Sequence, residues 1–161
     1  MNTIREFEEK DIFQMIEIWN QIVEQGDSFP QKEILNFESA KLFFFEQTFT
    51  GVFERDNQIL GLYILHPNNI GRCNHIANAS YAVLESERGN HIGEKLIQHS
   101  KKMAVKNGFH ILQFNAVTIT NTGALYLYKK LGFLQLGVIP GGFLSKENKY
   151  IDIIPHYIEL I

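Results

Sequence analysis

Hydrophobic spacing changes several times along this chain, and each change marks an element. Thr3 to Glu8 reads as a short first strand, and Asp11 stands where the N-cap of a following helix is expected. Ile12, Met15, Ile16, Trp19, Ile22 and Val23 then recur at helical spacing, which predicts a helix with one apolar face in the core. Gly26-Asp27-Ser28-Phe29-Pro30 breaks the pattern before a second helical stretch around Glu38 to Glu46. Within it, Leu42-Phe43-Phe44-Phe45 reads as core, with the lining of an acceptor pocket as the alternative. Val52 to Arg55 and Ile59 to Leu65, on either side of Asp56-Asn57, predict a hairpin.

The second half switches between the two periods. Ile76 to Leu84 is rich in strand formers, whereas from Ile92 onward Ile92, Leu96, Ile97, Ser100, Met103 and Ala104 make one face of a helix. Between them lies Glu87-Arg88-Gly89-Asn90-His91-Ile92-Gly93-Glu94. A helix that begins directly after a glycine turn points unpaired N–H groups and the positive end of its dipole at whatever precedes it, an arrangement suited to a phosphate or pyrophosphate. A tight connection with no ligand is the competing reading of that fragment alone. His110 to Val117 reads as another strand and Asn121 to Leu131 as a helix ending at Gly132-Phe133. Strand, crossover helix and strand of this length make a right-handed parallel unit, whose ligands sit beyond the carboxyl ends of the strands. Farther on, Gly137, Pro140-Gly141-Gly142 and Lys146-Glu147-Asn148-Lys149 bracket a sixth strand and a loop, and Tyr150 to Leu160 gives a last strand. Pro155 inside that strand argues for a break or an edge position.

Composition narrows the classes of function. A chain of 161 residues suits one domain, residues 1–161, able to bury about two-thirds of its unfolded surface. A formal net charge of -3 argues against general nucleic-acid or membrane-surface binding, since no basic field drives either. No run is long enough to span a bilayer and the N-terminus lacks a signal-peptide layout. The single cysteine, Cys73, suits a reducing cytoplasm and reads as a bystander thiol. The six histidines are scattered and no Cys, Asp or Glu set has ligand spacing, so no metal site is expected.

Two motifs carry a family resemblance. Arg88-Gly89-Asn90-His91-Ile92-Gly93 resembles the pyrophosphate loop of the GNAT N-acetyltransferases, and Asn121-x-x-Ala124-x-x-x-Tyr128-x-x-x-Gly132-Phe133 is similar to the acetyl-CoA helix of the same family. His91 stands where the family usually has glycine, a departure that is tolerable if the side chain points to solvent. The resemblance implies an α/β domain with a mixed, mostly antiparallel sheet, flanked by helices, whose two central parallel strands splay to admit acetyl-CoA. It places the cofactor against Val83, Arg88, Gly89, His91, Ile92, Gly93, Glu94, Asn121 and Tyr128, with Arg88 adding charge if it turns inward.

A narrower resemblance lies in the loop and strands at the other end of the unit. Pro67-Asn68-x-x-Gly71-Arg72 followed by His75-Ile76-Ala77-Asn78, then Phe114-Asn115-Ala116-Val117 and Asn121, looks like the branch that includes fungal acetyltransferases of azetidine-2-carboxylate and related proline-like amines. Amine acetylation needs a neutral amine to attack the thioester carbonyl, a donor for the oxyanion and a proton for the departing thiolate. The resemblance implies that Asn78 bonds the acetyl carbonyl or the substrate, and that Asn115 holds the acceptor. A bonded structural asparagine is the competing reading for each. Asn121 opens the last helix, either as an N-cap alone or also facing the pantetheine arm. Tyr128, two helical turns later and on the same face, is the candidate acid, because a phenol stays protonated at neutral pH. His75 is a candidate base and substrate contact by its pKa class, against a structural role or a base supplied by water.

The function expected is therefore acetyl transfer from acetyl-CoA to the amine of a small molecule, with an amino or imino acid favoured and no acyl-enzyme formed. A protein N-terminus or lysine is the alternative acceptor, and a non-catalytic acetyl-CoA sensor is the alternative of another class. The C-terminal strands are expected either to make a homodimer contact or to fill the floor of the site.

Overall fold

The computed structural model describes residues 1–161. In chain order the elements are β1 (Asn2–Glu6), α1 (Ile12–Gln25), α2 (Phe37–Phe45), β2 (Phe49–Arg55), β3 (Gln58–Pro67), β4 (Ile76–Val83), α3 (Ile92–Lys106), β5 (Ile111–Thr118), α4 (Thr122–Lys130), β6 (Leu134–Gln135), β7 (Ile139–Leu144) and β8 (Tyr150–Glu159). All strands join one sheet of order β1-β2-β3-β4-β5-β8-β6, with β7 also paired to β8. The β4–β5 pair is parallel and every other pair is antiparallel, as the α/β reading anticipates.

Alternation along the central strands sorts the core into two layers. On β3, Leu62 and Ile64 face the helices α1 and α2, where Trp19 meets Phe29, Phe43 and Phe44 at ring-centroid distances of 4.5, 5.2 and 5.9 Å. Leu60, Tyr63 and Leu65 face the other way, with Leu96, Ile97 and Ala104 of α3. The β2–β3 hairpin turns at Asp56 and Asn57, whose φ values of 50° and 65° give the turn the twist that two-residue hairpins need. The ring of Tyr63 lies across Gly51 on β2, in space that any side chain there would take. So placed, its hydroxyl is 2.8 Å from His99 Nδ1 on α3.

Three expectations are corrected. Asp11 makes no side-chain cap to α1. Its carboxylate instead accepts the Glu8 N–H at 2.8 Å and two guanidinium N–H groups of Arg5 at 2.7 and 3.1 Å. Arg5 also donates to Glu54 at 2.6 Å, so one ion cluster ties β1, the start of α1 and β2. Burial of Asp11 favours its neutral form, but the Arg5 and Glu8 donors outweigh it and hold the carboxyl below its ordinary value. Pro155, for its part, neither breaks β8 nor marks an edge. Phe114 pairs with His156 and Val117 with Ile154, so β5 carries one extra residue opposite Pro155. The missing proline N–H falls at this bulge, while the Pro155 carbonyl still accepts from Leu136 at 2.9 Å. Pro140-Gly141-Gly142 lies inside β7, not beside it.

Candidate active site

The site begins where two parallel strands part. β4 and β5 pair only over Ile76–Ile111, Ala77–Leu112 and Asn78–Gln113. At that last pair the Asn78 side chain donates to the Gln113 carbonyl at 2.9 Å, which closes the fork. Beyond it β5 bulges at Asn115 and Ala116, and the carboxyl ends of the strands diverge around a cleft of ≈ 880 Å³.

One wall of the cleft is the loop before α3. Gly89 has φ 87°, and His91 at the N-cap has φ 61° and ψ 19°, the left-handed region that glycine occupies without strain. The His91 side chain is 75% exposed, so it points to solvent and leaves the backbone clear. It offers α3 no side-chain cap. The N–H groups from Gly89 through Glu94 donate to no acceptor in the chain, leaving a run of donors at the positive end of the helix. Gly93 adds room, because a Cβ there would meet only Val83 at 3.9 Å. Arg88 does not turn inward: it is exposed and donates to Gln25 at 3.0 Å, at the end of α1. Glu94 is paired with Lys130 of α4 at 3.0 Å, which joins the two helices across the rim.

The other end of the cleft is polar and built from amides. Asn115, exposed in the bulge, donates to Asn68 at 2.6 Å and accepts from Gln113 at 3.1 Å. Asp27, Ser28, Phe29 and Pro30 from the loop after α1 also line the cleft. Thr118 donates to the Asp27 carbonyl at 3.2 Å and so holds that loop against β5. The run Leu42 to Phe45 does not reach the site; Phe44 is core, and Leu42 and Phe45 face outward.

The helix α4 brings Asn121 and Tyr128 to the same cleft. Asn121 caps the helix, its Oδ1 accepting from the Ala124 N–H at 3.2 Å. Tyr128 rests between Phe114 at 4.6 Å and Phe133 at 5.6 Å, and its hydroxyl makes no hydrogen bond within the chain. Burial pushes its pKa up to about 12. Tyr81 on β4 lines the cleft as well and shares a 2.7 Å hydrogen bond with Ser100 of α3.

Most of the residues singled out in the sequence converge here: Asn78, Val83, Arg88, Gly89, His91, Ile92, Gly93, Glu94, Asn115, Asn121 and Tyr128 all line the cleft. His75 does not. It is exposed just before β4, its ring 5.8 Å from that of His110, at the end of the fork where the strands are still joined. A histidine on that side has no line to the diverging carboxyl ends. Sequence reasoning passed over Tyr81 and Gln113, whose strand positions look like any other, and did not assign Asn68 a part although its loop motif was noticed. Tyr126, on a different face of α4 from Tyr128, stands at the rim and is 72% exposed. No group of His, Cys, Asp and Glu side chains is disposed to hold a metal ion, and no helix is long and apolar enough to cross a membrane.

Comparisons with known proteins agree with this geometry. A profile described as the Acetyltransferase (GNAT) family matches residues 12–133. The N-acetyltransferase aca1 of Schizosaccharomyces pombe is 35% identical over 95 residues, which are 58% of this chain and 46% of that protein. The matched stretch is thus less than half of that curated relative. Among solved structures, a GCN5-related N-acetyltransferase from Kribbella flavida superposes with a TM-score of 0.89 at 29% identity, covering 98% of this chain and 97% of that one. A phosphinothricin acetyltransferase from Sinorhizobium meliloti in complex with AcCoA shares the fold at 16% identity, with a TM-score of 0.90 over 98% of this chain and 88% of that one. With the family profile spanning both the bare loop before α3 and the helix that carries Tyr128, the chain belongs to the GNAT acetyltransferase family.

Proposed function

We propose that this chain is an acetyl-CoA-dependent N-acetyltransferase whose acceptor is the amine of a small molecule, an amino or imino acid by preference. One observation carries the reading: the uncommitted N–H groups from Gly89 through Glu94 and the unpaired Tyr128 hydroxyl face the same cleft, at the mouth of the β4–β5 fork. The donor run fits a pyrophosphate, and the gap between the strands fits an extended arm laid along β4. When bound, acetyl-CoA supplies a thioester whose carbonyl carbon an amine can attack.

The chain's own residues supply the rest. The α3 N-terminus neutralises phosphate charge with backbone donors, and Val83 and Ile92 make the apolar floor beside it. Asn78 spends one N–H on Gln113, which keeps the fork closed, and has a second N–H for a carbonyl oxygen placed above it. Asn115, steadied by Asn68 and Gln113, orients the acceptor, and the loop at Asp27 to Pro30 closes the pocket around it. Tyr128 stays protonated at neutral pH and gives its proton to the leaving sulfur. The likeness to the proline-analogue branch, carried by Asn78, Asn115 and Asn121, is what favours an amino or imino acid.

Calorimetric titration with acetyl-CoA, followed in the same preparation by thiol release with proline analogues, amino acids, polyamines and a lysine peptide, tests this. Binding with release on amino or imino acids is expected. Release on the peptide alone would move the acceptor to proteins, and binding without release on any amine would replace catalysis with sensing. Tyr128→Phe should lower kcat about 100-fold with acetyl-CoA affinity unchanged.

A further inference from the structure

Most of the ionic side chains that line the cleft are already paired. Glu94 holds Lys130 at 3.0 Å and lies 3.7 Å from His91, and Glu87 holds Arg55 at 3.0 Å. Two remain. The Arg88 guanidinium and the Asp27 carboxylate belong to residues of the same cleft, and neither stands in an ion pair, with each other or with any other group.

Both stand at the acceptor end. Arg88 leaves the loop before α3 and donates from Nη2 to Gln25 Oε1 at 3.0 Å, at the last residue of α1. Asp27 follows two residues later, after Gly26 has turned the chain with φ 66°. That turn is held from two sides. The Gly26 carbonyl accepts from the Lys146 N–H at 3.3 Å, and the Asp27 carbonyl accepts from Thr118 at 3.2 Å. A free cation and a free carboxylate are therefore fixed on either side of Gln25. Gln25 is neutral and takes one N–H, whereas a guanidinium has five in a planar fork that matches a carboxylate. The bare N–H groups from Gly89 through Glu94 already provide for a pyrophosphate without this side chain.

We propose that Arg88 serves the acceptor and not the cofactor: its guanidinium binds the carboxylate of an amino or imino acid whose ammonium is met by Asp27, so the acceptor end of the cleft takes a zwitterion. This rests on the reading of the chain as an acetyltransferase of such acids, and it names the groups that select them. A simple amine or a lysine side chain within a peptide has no carboxylate for Arg88. The held ammonium cannot attack as it stands. One N–H bond breaks, its proton passes to the Asp27 carboxylate and from that exposed residue to water, and the lone pair left on nitrogen attacks the thioester carbonyl.

Proline and alanine, each beside its amide, test this, because the amide keeps the amine and removes the carboxylate. Arg88→Gln should raise the KM for both acids about tenfold and leave the KM for the amides, kcat and acetyl-CoA affinity unchanged. Asp27→Asn should raise KM for acids and amides alike and lower kcat, since all of them carry the ammonium. An Arg88→Gln variant that loses acetyl-CoA affinity with its KM for the acids unmoved gives the guanidinium to the pyrophosphate and overturns the proposal. Equal rises for acid and amide, or an Asp27→Asn variant that matches wild type, overturn it too. Calorimetric titration of proline and prolinamide into protein saturated with CoA reads the pairing without turnover. Proline should bind wild type about tenfold more tightly than Arg88→Gln, with prolinamide indifferent to the change. Failure to acetylate any amino or imino acid would refute the acceptor class, whereas this titration judges Arg88 by itself. Proline that binds both proteins equally, or neither, overturns the proposal.

Discussion

The helices of this protein begin in two different ways. α2 starts at Asn36, whose side chain accepts the Ser39 N–H at 2.9 Å while Ser39 Oγ accepts the Asn36 N–H at 3.0 Å. α4 starts under the Asn121 cap, and the turn leading into α1 is closed by Asp11 and Arg5. α3 starts with none of this: a glycine loop, a left-handed His91 and a run of donors with no acceptor. The satisfied ends stabilise the fold by holding their own first turns. The bare end gives up that stability, and its donors open onto the cleft where an anion can take the place of a cap. The contrast separates residues that hold the scaffold from residues kept open for a ligand, and it can be broken from either side.

The largest effect is expected on the sealed side. Arg5→Ala leaves the buried Asp11 carboxylate without its partner and should destabilise the protein by about 3–5 kcal/mol, read by denaturant unfolding at neutral pH. The folded pKa of Asp11 lies below its unfolded value, so its contribution is present above about pH 4 and is lost as pH falls through the folded pKa. The variant should therefore differ least from wild type in strong acid, and a gap that persists there would refute the ion-cluster account.

The next prediction fills the bare end. Gly93→Asp fits sterically, with Cβ 3.9 Å from Val83, and puts a carboxylate in the first turn of α3. Stability should rise by about 0.5 kcal/mol through the helix dipole, while acetyl-CoA affinity should fall at least ~10-fold through competition for the same N–H groups. A melting curve and a calorimetric titration read the two signs; affinity that survives would place the phosphates elsewhere.

A smaller, pH-dependent effect belongs to the sealed flank of α3. Burial lowers the pKa of His99, which bonds the buried Tyr63 hydroxyl. Because the folded value lies below the ordinary 6.5, the contribution of His99 is fully present above pH 6.5 and is lost as pH falls through the folded pKa. Thermal melts between pH 7 and about pH 5 should converge for wild type and His99→Gln toward the acid end. Parallel curves would show that His99 does not titrate in this window. The smallest change is expected for His91→Gly. Relief of the left-handed backbone is offset in part by glycine's entropy, so stability should shift by less than ~1 kcal/mol and acetyl-CoA affinity should stay put. A large loss of affinity would mean that the imidazole, not the backbone, contacts the ligand.

Much of this was legible beforehand because the signals were local. The hairpin at Asp56-Asn57, the amphipathic stripe of α1 and the glycine loop before α3 each depend on residues a few positions apart. The cleft residues Asn78, Asn115, Asn121 and Tyr128 came from motif spacing and do meet. Asp11 misled because its side chain prefers a guanidinium fork from β1 to the helix it precedes, a partner no local window contains. His75 misled because its place relative to the fork depends on where β4 and β5 stop pairing.

The sequence by itself therefore determined the elements, the period of each, the glycine-bearing turn that bares α3 and the family to which the chain belongs. Those follow from short-range sterics, side-chain spacing and dipole direction, which a one-dimensional pattern contains. Only the tertiary structure decided that Pro155 falls opposite the β5 bulge, that Asn78 ties the fork to Gln113, that Asn68 braces Asn115 and that the ring of His156 meets that of Tyr128 edge to face. Each of these sets residues far apart in the chain side by side, through the register of strands that pair across the sheet, and register is settled by the packing of the whole core.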